Sequence, residues 1–241
     1  MRFARLIIPG SLISMLKRFK KDSLVVDDPR TVKAFLSNPD FPFLVSFPRT
    51  GSHWLRMLME LYFMKPALVR AFYFQDAVDF TCYHTHDMNL DVERRNVIYL
   101  YRDPVHTIYS QLRYYRENVD DIDRIKYWSM LYGNHLSKWL VRENITQKKT
   151  IITYEGLKLD VYEEFGKVCR HFGIALDADR LATLVKRISK DELKKVTRHD
   201  QQVVDLSATY EIDRQKFEQK HDRLVRDLVI ECDHHLGTLF T

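Results

Sequence analysis

The sequence predicts an α/β fold in which a central parallel β-sheet lies between two layers of helices. Short apolar runs of strand length occupy residues 43–47, 96–101 and 150–154. Each run is followed by apolar residues at the spacing of an amphipathic helix, which is the pattern of strands that alternate with helices. A chain of 241 residues is long enough to bury one sizeable core, so we expect residues 27–241 to form a single domain.

The composition is that of a soluble globular protein with a modest excess of positive charge. Hydrophobic residues make up 45% of the chain and charged residues 29%, and the net charge of +5 suits an anionic ligand or surface. We do not expect nucleic acid to be the ligand, because no helix-turn-helix, zinc-finger or RNA-binding signature is present. The three cysteines are scattered without a pairing pattern, which favours a reducing, cytoplasmic location.

Residues 1–26 form a basic amphipathic segment that we separate from the domain. Within it, residues 1–21 mix apolar side chains with arginine and lysine, and Pro9-Gly10 interrupts them. No small-residue cleavage site follows, so the segment does not have the pattern of a signal peptide. It either packs on the domain, which is the simpler interpretation, or lies on an anionic membrane surface. No apolar run reaches the roughly 18 residues needed to span a bilayer.

The first predicted strand leads into a polar turn that favours an anion. Pro48 closes the apolar run, and a helix follows from Trp54. The turn offers a guanidinium, two hydroxyls and a glycine beside the free N–H groups of a helix N-terminus: Arg49, Thr50, Gly51 and Ser52. It lacks the Gly-x-x-x-x-Gly-Lys-Ser/Thr pattern of a Walker A loop. The alternative is an ordinary turn with a surface arginine.

Two histidines, His84 and His86, occupy alternate positions in a short polar stretch and would share one face of a strand. Three interpretations are open. Both histidines can simply be hydrogen-bonded at a strand end. They can begin a metal site, although no second cluster of ligands is evident. One of them can act as a general base, a role that suits histidine because its pKa lies near neutrality.

A second strand-to-helix junction repeats the first. The strand 96–101 ends at Arg102, and Pro104 suits the first position of the helix that follows. Arg102 and Ser110, two turns into that helix, form a second candidate anion site, because an arginine can donate two parallel hydrogen bonds to a phosphate. In the alternative interpretation, Arg102 pairs with Asp103 or another carboxylate.

The other predicted elements surround these junctions. A short helix covers residues 27–36. The aromatic-rich stretch 65–80 could line a pocket, but such stretches more often cover a core. Amphipathic helices are predicted after the second junction, at residues 122–143, 160–172, 179–188 and 214–236.

These motifs resemble those of sulfotransferases. Pro48–Leu55 is similar to the family's phosphosulfate-binding loop, Pro-Lys-Ser-Gly-Thr-Thr-Trp-Leu. His84-Thr85-His86 is similar to the family's Lys-Thr-His, with His86 at the position of the catalytic base. Tyr101–Ser110 resembles the 3′-phosphate-binding motif, and Tyr154–Lys158 resembles the segment Tyr-Glu-Asp-Met-Lys, whose tyrosine helps to hold adenine. Residues 132–139 match a further family segment, Gly-Ser-Trp-x-x-His-x-x-x-Trp, more loosely. All of these motifs occur in the same order as in the family.

The resemblance covers about residues 42–195 and implies a P-loop-nucleotide-hydrolase-like sulfotransferase fold. It also implies a donor, PAPS (3′-phosphoadenosine 5′-phosphosulfate), whose product is PAP (adenosine 3′,5′-bisphosphate), and it requires no metal. The implied catalytic residues are His86, as the base, and Arg49, which offsets charge on the leaving phosphate. The implied acceptor is a hydroxyl or amine of a small metabolite, a glycan or a glycolipid. The implied donor-binding residues are Arg49, Thr50, Gly51, Ser52, His53, Trp54, Arg102, Ser110 and Tyr154.

The chain departs from the family pattern at several positions. Arg49 replaces a lysine, His53 a threonine and Lys190 an aromatic residue that stacks on adenine. The C-terminal Arg-Lys-Gly motif is missing, and the candidates to replace it are Lys194, Lys195 and Arg198. Two other functions stay open. One is an inactive nucleotide-binding protein of the same fold; the other is a phosphoryl-transfer enzyme such as a kinase, which would need a Walker lysine and magnesium-binding carboxylates.

Overall fold

The computed structural model describes residues 29–74, 76–142, 146–197 and 207–240. Within them, four parallel strands form a sheet with the order β2-β1-β3-β4. The strands are β1 (Phe43–Ser46), β2 (Tyr83–Thr85), β3 (Asn96–Tyr101) and β4 (Lys148–Thr153). The segment 1–26, expected to be basic and amphipathic, lies outside the described residues.

Helices connect and cover the strands. In chain order they are α1 (Pro29–Leu36), α2 (Ser52–Phe63), α3 (Pro104–Tyr115), α4 (Ile122–Leu136), α5 (Tyr154–Leu159), α6 (Val161–His171), α7 (Ala178–Arg187), α8 (Lys190–Val196) and α9 (Tyr210–Cys232). A π-helical turn, Ser137–Val141, continues α4, and a 3-10 turn, His234–Thr238, follows α9. None of the helices in the described residues is long and apolar enough to cross a membrane.

The two faces of the sheet pack against different helices. Side chains alternate along each strand, so one face presents Leu44, Ile98 and Ile152 to a core shared with α2, α6 and α7. The opposite face presents Val45 and Tyr99 to a core shared with α3, α4 and α9. The structure therefore confirms the three-layer α/β fold with a central parallel sheet.

Element boundaries differ from the prediction at the end of β4. Tyr154 was expected to close the strand, but it begins α5 instead. The reason is a local cap: the hydroxyl of Thr153 accepts a hydrogen bond of 2.9 Å from the N–H of Gly156. This places the ring of Tyr154 at the carboxyl edge of the sheet rather than along a strand.

The aromatic stretch after α2 packs into the core, as expected. Phe72 and Tyr73 are buried against the α2 face of the sheet. Their backbone is held by the buried carboxylate of Glu60, which accepts hydrogen bonds of 2.6–2.8 Å from the N–H groups of Phe72, Tyr73 and Phe74. A charge buried in α2 therefore orders the loop that leads to β2.

The strand order places a crevice between β1 and β3. After β1 the chain crosses to β2 on one side, and it then returns to form β3 on the other side of β1. In open parallel sheets such a reversal opens a crevice at the carboxyl ends of the two strands, where ligands bind. Both predicted anion sites, the turn after β1 and Arg102 after β3, lie at this crevice.

Candidate active site

A cleft of about 450 Å³ lies at the carboxyl ends of the strands. The structure brings nearly all of the predicted site residues to its wall: Arg49, Gly51, Ser52, His53, Trp54, His86, Arg102, Ser110 and Tyr154. Thr50 is the exception. Its hydroxyl is buried and donates a hydrogen bond of 2.8 Å to the carbonyl oxygen of Phe47, so the side chain stabilises the turn from inside.

A second groove is larger, about 760 Å³, and its lining is mostly apolar. It is lined by α1 and by residues that precede β1 and β2, such as Phe41 and Phe80, so it belongs to the amino ends of the strands. Its basic side chain, Lys65, forms an ion pair with Asp79. An apolar groove without convergent polar groups is a poorer candidate for chemistry than the smaller, basic cleft.

The turn after β1 presents backbone to the cleft. Arg49 and Gly51 both have left-handed backbone angles, with φ of 70° and 92°. Gly51 precedes α2, and no side chain caps this helix. The N–H of Trp54 donates to the carbonyl oxygen of Gly51 at 3.0 Å, so the N–H groups that α2 leaves for a ligand are those of Ser52 and His53. A turn of this kind at a helix N-terminus attracts anions.

Gly51 is required by its contact with Tyr154. A β-carbon at position 51 would lie 2.4 Å from Cδ2 of the Tyr154 ring. The guanidinium of Arg102 lies over the same ring, 4.6 Å from its centroid, and the Trp54 ring is 6.0 Å away. Burial raises the pKa of the Tyr154 phenol, so this ring is a neutral wall of the cleft.

Arg102 is only weakly neutralised by its neighbours. Of the alternative partners predicted, Asp103 is engaged elsewhere, because it binds Arg226 at 2.9 Å and caps α3 by accepting from the N–H of His106 at 3.1 Å. Another carboxylate, that of Glu155, forms a long ion pair with Arg102. Nη1 of Arg102 donates to the carbonyl oxygen of Arg49 at 3.3 Å. Its Nε lies 4.0 Å from the half-exposed carboxylate of Glu155 and has no hydrogen-bond partner. Its side chain is nevertheless only 9% exposed. A buried N–H without a partner fits an anionic ligand.

Arg49 turns towards α3. Its Nε donates a hydrogen bond of 3.2 Å to the hydroxyl of Ser110, and its guanidinium lies over the ring of Tyr114 at 4.8 Å. The sequence placed Arg49 and Ser110 in two separate anion motifs. The structure joins them, so the two motifs form one continuous basic surface.

One ring nitrogen of His86 is hydrogen-bonded to the backbone, and the other is left for a ligand. Its Nδ1 lies 2.7 Å from the carbonyl oxygen of Ser46. A carbonyl oxygen only accepts, so Nδ1 carries the hydrogen and Nε2 keeps a lone pair. Burial lowers the pKa of His86, and the cations Arg56 and Arg70 lower it further. The neutral ring, which can accept a proton, is therefore the stable form at neutral pH.

A second histidine fixes the backbone of His86. Nε2 of His135 donates to the carbonyl oxygen of His86 at 2.9 Å, and Nδ1 of His135 accepts from the hydroxyl of Tyr99 at 2.9 Å. Burial lowers the pKa of His135 to about 4, so it stays neutral and keeps this pattern. His135 belongs to the looser motif at residues 132–139, and its place behind His86 gives that motif a physical role.

His84 cannot supply the charge of the lysine that it replaces. Its pKa is held well below the usual value by burial and by Arg56. Nη1 of Arg56 lies 3.4 Å from Nδ1 of His84, and Nε2 of His84 lies 3.2 Å from the hydroxyl of Ser46. Both ring nitrogens are thus used within the protein. Arg56, whose pKa falls only to about 10, is the cation at this place.

Three cleft-forming arginines were missed in the sequence. Arg70 and Arg214 line the cleft, and the buried Arg56 lies behind it. Arg56 and Glu60 could have been found, because they are charged residues four apart on the apolar face of a predicted core helix. Arg70 and Arg214 carry no such signal, because Arg70 lies in an irregular loop and Arg214 is one of many charged residues of α9.

A family model for the sulfotransferase domain matches residues 81–240. The chain belongs to the sulfotransferase family. The match begins after the turn at 48–55, so it does not include the predicted phosphosulfate loop; that loop is assigned by its own resemblance and by its place in the cleft. No curated protein sequence gave a significant match.

Solved structures show that this sulfotransferase shares its fold with known members. Mouse sulfotransferase SULT7A1 complexed with PAP has a TM-score of 0.53 at 17% identity, covering 84% of this chain and 93% of that one. Retinol dehydratase, in complex with androsterone and the inactive cofactor PAP, has a TM-score of 0.52 at 12% identity, covering 81% and 82%. At these identities the likeness establishes the fold alone.

Cations dominate the cleft of this sulfotransferase. Among the described residues, five basic side chains line it, namely Arg49, Arg70, Arg102, Lys158 and Arg214, against one carboxylate, that of Glu211. Glu211 is paired with Arg214 at 2.7 Å. The remaining excess of positive charge suits a ligand with several negative charges.

Proposed function

We propose that this sulfotransferase transfers the sulfuryl group of PAPS to a hydroxyl or amine of its acceptor, with His86 as the base. The observation that carries the proposal is the cleft between β1 and β3. There, a neutral histidine with an available Nε2 lines the same cleft as the turn after β1 and as Arg102, Ser110 and Tyr154.

The residues of the cleft fit the donor. Arg102 offers a buried Nε without a hydrogen-bond partner, as expected for a guanidinium that binds a phosphate. Gly51 allows Tyr154 to lie close to the turn, where its ring suits the face of an adenine. When bound, PAPS supplies a sulfuryl group attached to a phosphate leaving group. The residues assigned to bind it are Arg49, Thr50 through its backbone, Gly51, Ser52, His53, Trp54, Arg102, Ser110 and Tyr154.

The protein contributes a base and a set of positive groups. Nε2 of His86 accepts the proton of the acceptor, while Nδ1 remains bonded to the carbonyl oxygen of Ser46. Arg49 and the N–H groups at the start of α2 offset the negative charge that develops on the leaving phosphate. Because Arg49 contacts Ser110, the same side chain also links the two ends of the donor site.

Arg214 is our candidate to replace the missing C-terminal motif. It lines the cleft from α9, its side chain is 17% exposed, and its buried Nε has no hydrogen-bond partner. Two of the candidates suggested by sequence, Lys194 and Lys195, are exposed on α8, and Arg198 lies outside the described residues. A partly buried guanidinium at the wall of the cleft is better suited than an exposed lysine to bind a phosphate.

The acceptor is a small molecule or a glycan that reaches the cleft from the side of His86. A glycolipid acceptor would agree with contact between residues 1–21 and a membrane, but that segment lies outside the described residues. Cytoplasmic location and such peripheral contact both stay predictions from composition.

Calorimetric titration with PAP tests the donor assignment. We expect the wild type to bind PAP with micromolar affinity, about −8 kcal/mol. Arg102→Ala should weaken binding on the order of 10- to 100-fold, because it removes a charged hydrogen-bond donor from a buried site. Arg223→Ala is the matched control, since that side chain is 94% exposed on α9. Absence of PAP binding by the wild type would reject the proposed function.

A further inference from the structure

Arg70 is a cation of the cleft that the donor scheme does not use. The donor residues Arg102, Ser110 and Tyr154 follow β3 and β4, which lie on one side of β1. Arg70 belongs to the loop between α2 and β2, and so lies on the other side with His86, which follows β2. The cleft therefore has a donor side and a β2 side, and the proposed base and Arg70 share the latter.

The charge of Arg70 is not neutralised within the described residues. No carboxylate there forms an ion pair with it; its guanidinium instead donates a hydrogen bond of 2.8 Å to Nε2 of His53. Burial holds the pKa of His53 well below its usual value, with Arg56, Arg70 and Arg49 adding to the effect. His53 is thus a neutral acceptor that orients Arg70 and leaves its charge intact.

Two buried ionisable side chains of α2 form hydrogen bonds with the backbone at and around Arg70. The guanidinium of Arg56 donates to the carbonyl oxygens of Val69 and Arg70. Glu60 binds the N–H groups that follow, from Phe72 onwards. Arg56 and Glu60 are only 3% and 1% exposed. Burial raises the pKa of Glu60, and the buried Nε of Arg56 has no hydrogen-bond partner. The hydrogen bonds that the two side chains do make offset part of the cost of burying them, and they tie the loop to α2.

Arg70 itself has a left-handed backbone, with φ of 58°, which is unfavourable for a residue with a side chain. The hydrogen bonds from Arg56 and Glu60 hold the loop in this backbone conformation. The conformation directs the guanidinium of Arg70 into the cleft, which His86 also lines. A pre-positioned, uncompensated guanidinium is a binding site for a carboxylate or another oxyanion.

We propose that Arg70 forms an acceptor subsite for an anionic group, so that the preferred acceptor carries a carboxylate or another oxyanion besides the hydroxyl or amine that is sulfated. The proposal rests on the proposed function, because it assumes that the donor occupies the other side of the cleft. The side chain of His53, which replaces a threonine of the family loop, then acts as a positioning group for Arg70, while the backbone of His53 remains the part assigned to the donor.

Binding to the complex with PAP tests this subsite, since PAP occupies the phosphate sites of the donor side. Two matched pairs of probes are titrated: 4-hydroxyphenylacetate against its amide, and methyl β-D-glucuronide against its amide. In at least one pair we expect the carboxylate to bind about 10-fold more tightly than the amide. Arg70→Gln should remove this preference, Arg70→Lys should keep part of it, and the exposed control Arg223→Gln should leave it unchanged.

The outcomes separate the two proposals. Equal affinity for the charged and neutral probes, or no binding of either, overturns the anion subsite while normal PAP binding leaves the proposed function standing. If Arg70→Gln weakens PAP as much as it weakens the carboxylate probe, Arg70 belongs to the donor site and the inference is also wrong. Failure of the wild type to bind PAP overturns the proposed function and this inference together.

Discussion

Replacement of His86 by asparagine is expected to lower kcat by a factor of about 10²–10⁴ while PAP affinity changes little. The asparagine amide can still donate to the carbonyl oxygen of Ser46, as Nδ1 of His86 does at 2.7 Å. It offers no basic nitrogen in place of Nε2. The variant therefore removes the proposed proton acceptor and preserves the local hydrogen bond, and steady-state rates with calorimetric PAP binding measure both properties.

A control for this variant is His235→Asn, because His235 is 64% exposed at the C-terminal 3-10 turn. Full activity of His86→Asn would mean that another group takes the proton. Loss of PAP binding together with activity would instead mean that the substitution disturbs the whole cleft. If the wild type binds PAP but has no transferase activity with any acceptor, the chain is the inactive nucleotide-binding protein that its sequence also allowed.

The pH dependence of kcat/KM should report the lowered pKa of His86. The base works only when it is neutral, so activity is retained above its pKa and lost as the pH falls through it. Burial first, and then Arg56 and Arg70, lower this pKa from the ordinary value of 6.5. We expect the acidic limb of the profile to lie below pH 6.5 in the wild type. Arg70→Gln should move that limb to higher pH, because a cation that disfavours the charged ring is gone; an unmoved limb would contradict the assignment.

Much of the site could be predicted because its parts lie at strand ends. An apolar run followed by a polar turn and a helical pattern identifies the junctions at Arg49 and Arg102, and a parallel sheet brings such junctions to one edge. Both the local pattern and the topology can be read from the order of residues in the chain. His86 was assigned differently, by the resemblance of His84-Thr85-His86 to the family's Lys-Thr-His.

Side-chain direction could not be predicted in the same way. The hydroxyl of Thr50 turns inwards to the carbonyl oxygen of Phe47, and Arg49 reaches across to Ser110, 61 positions later. Arg70 and Arg214 enter the cleft only because the loop before β2 and helix α9 fold over it. Contacts between residues so far apart in the chain depend on three-dimensional packing, which no local pattern in a single sequence indicates.

Replacement of Gly51 by alanine should weaken PAP binding by at least about 10-fold and destabilise the fold by about 1–3 kcal/mol. The backbone of Gly51 has a φ of 92°, which an L-residue rarely adopts, and the new β-carbon would lie 2.4 Å from Cδ2 of Tyr154. The ring must then move. Because Arg102 lies over that ring at 4.6 Å, its guanidinium loses its support as well. Calorimetry with PAP and chemical denaturation measure the two effects.

Gly173→Ala separates backbone strain from the steric contact. Gly173 also has a left-handed backbone, with φ of 69°, but an added β-carbon there would meet nothing within 4 Å. This control should lose stability through the backbone alone and bind PAP normally. If Gly51→Ala behaved in the same way, the close approach of Tyr154 would be irrelevant to the nucleotide. A selective loss of PAP affinity in Gly51→Ala would instead tie PAP binding to the turn and its close contact with Tyr154, since Gly173 has a similar backbone but does not line the cleft.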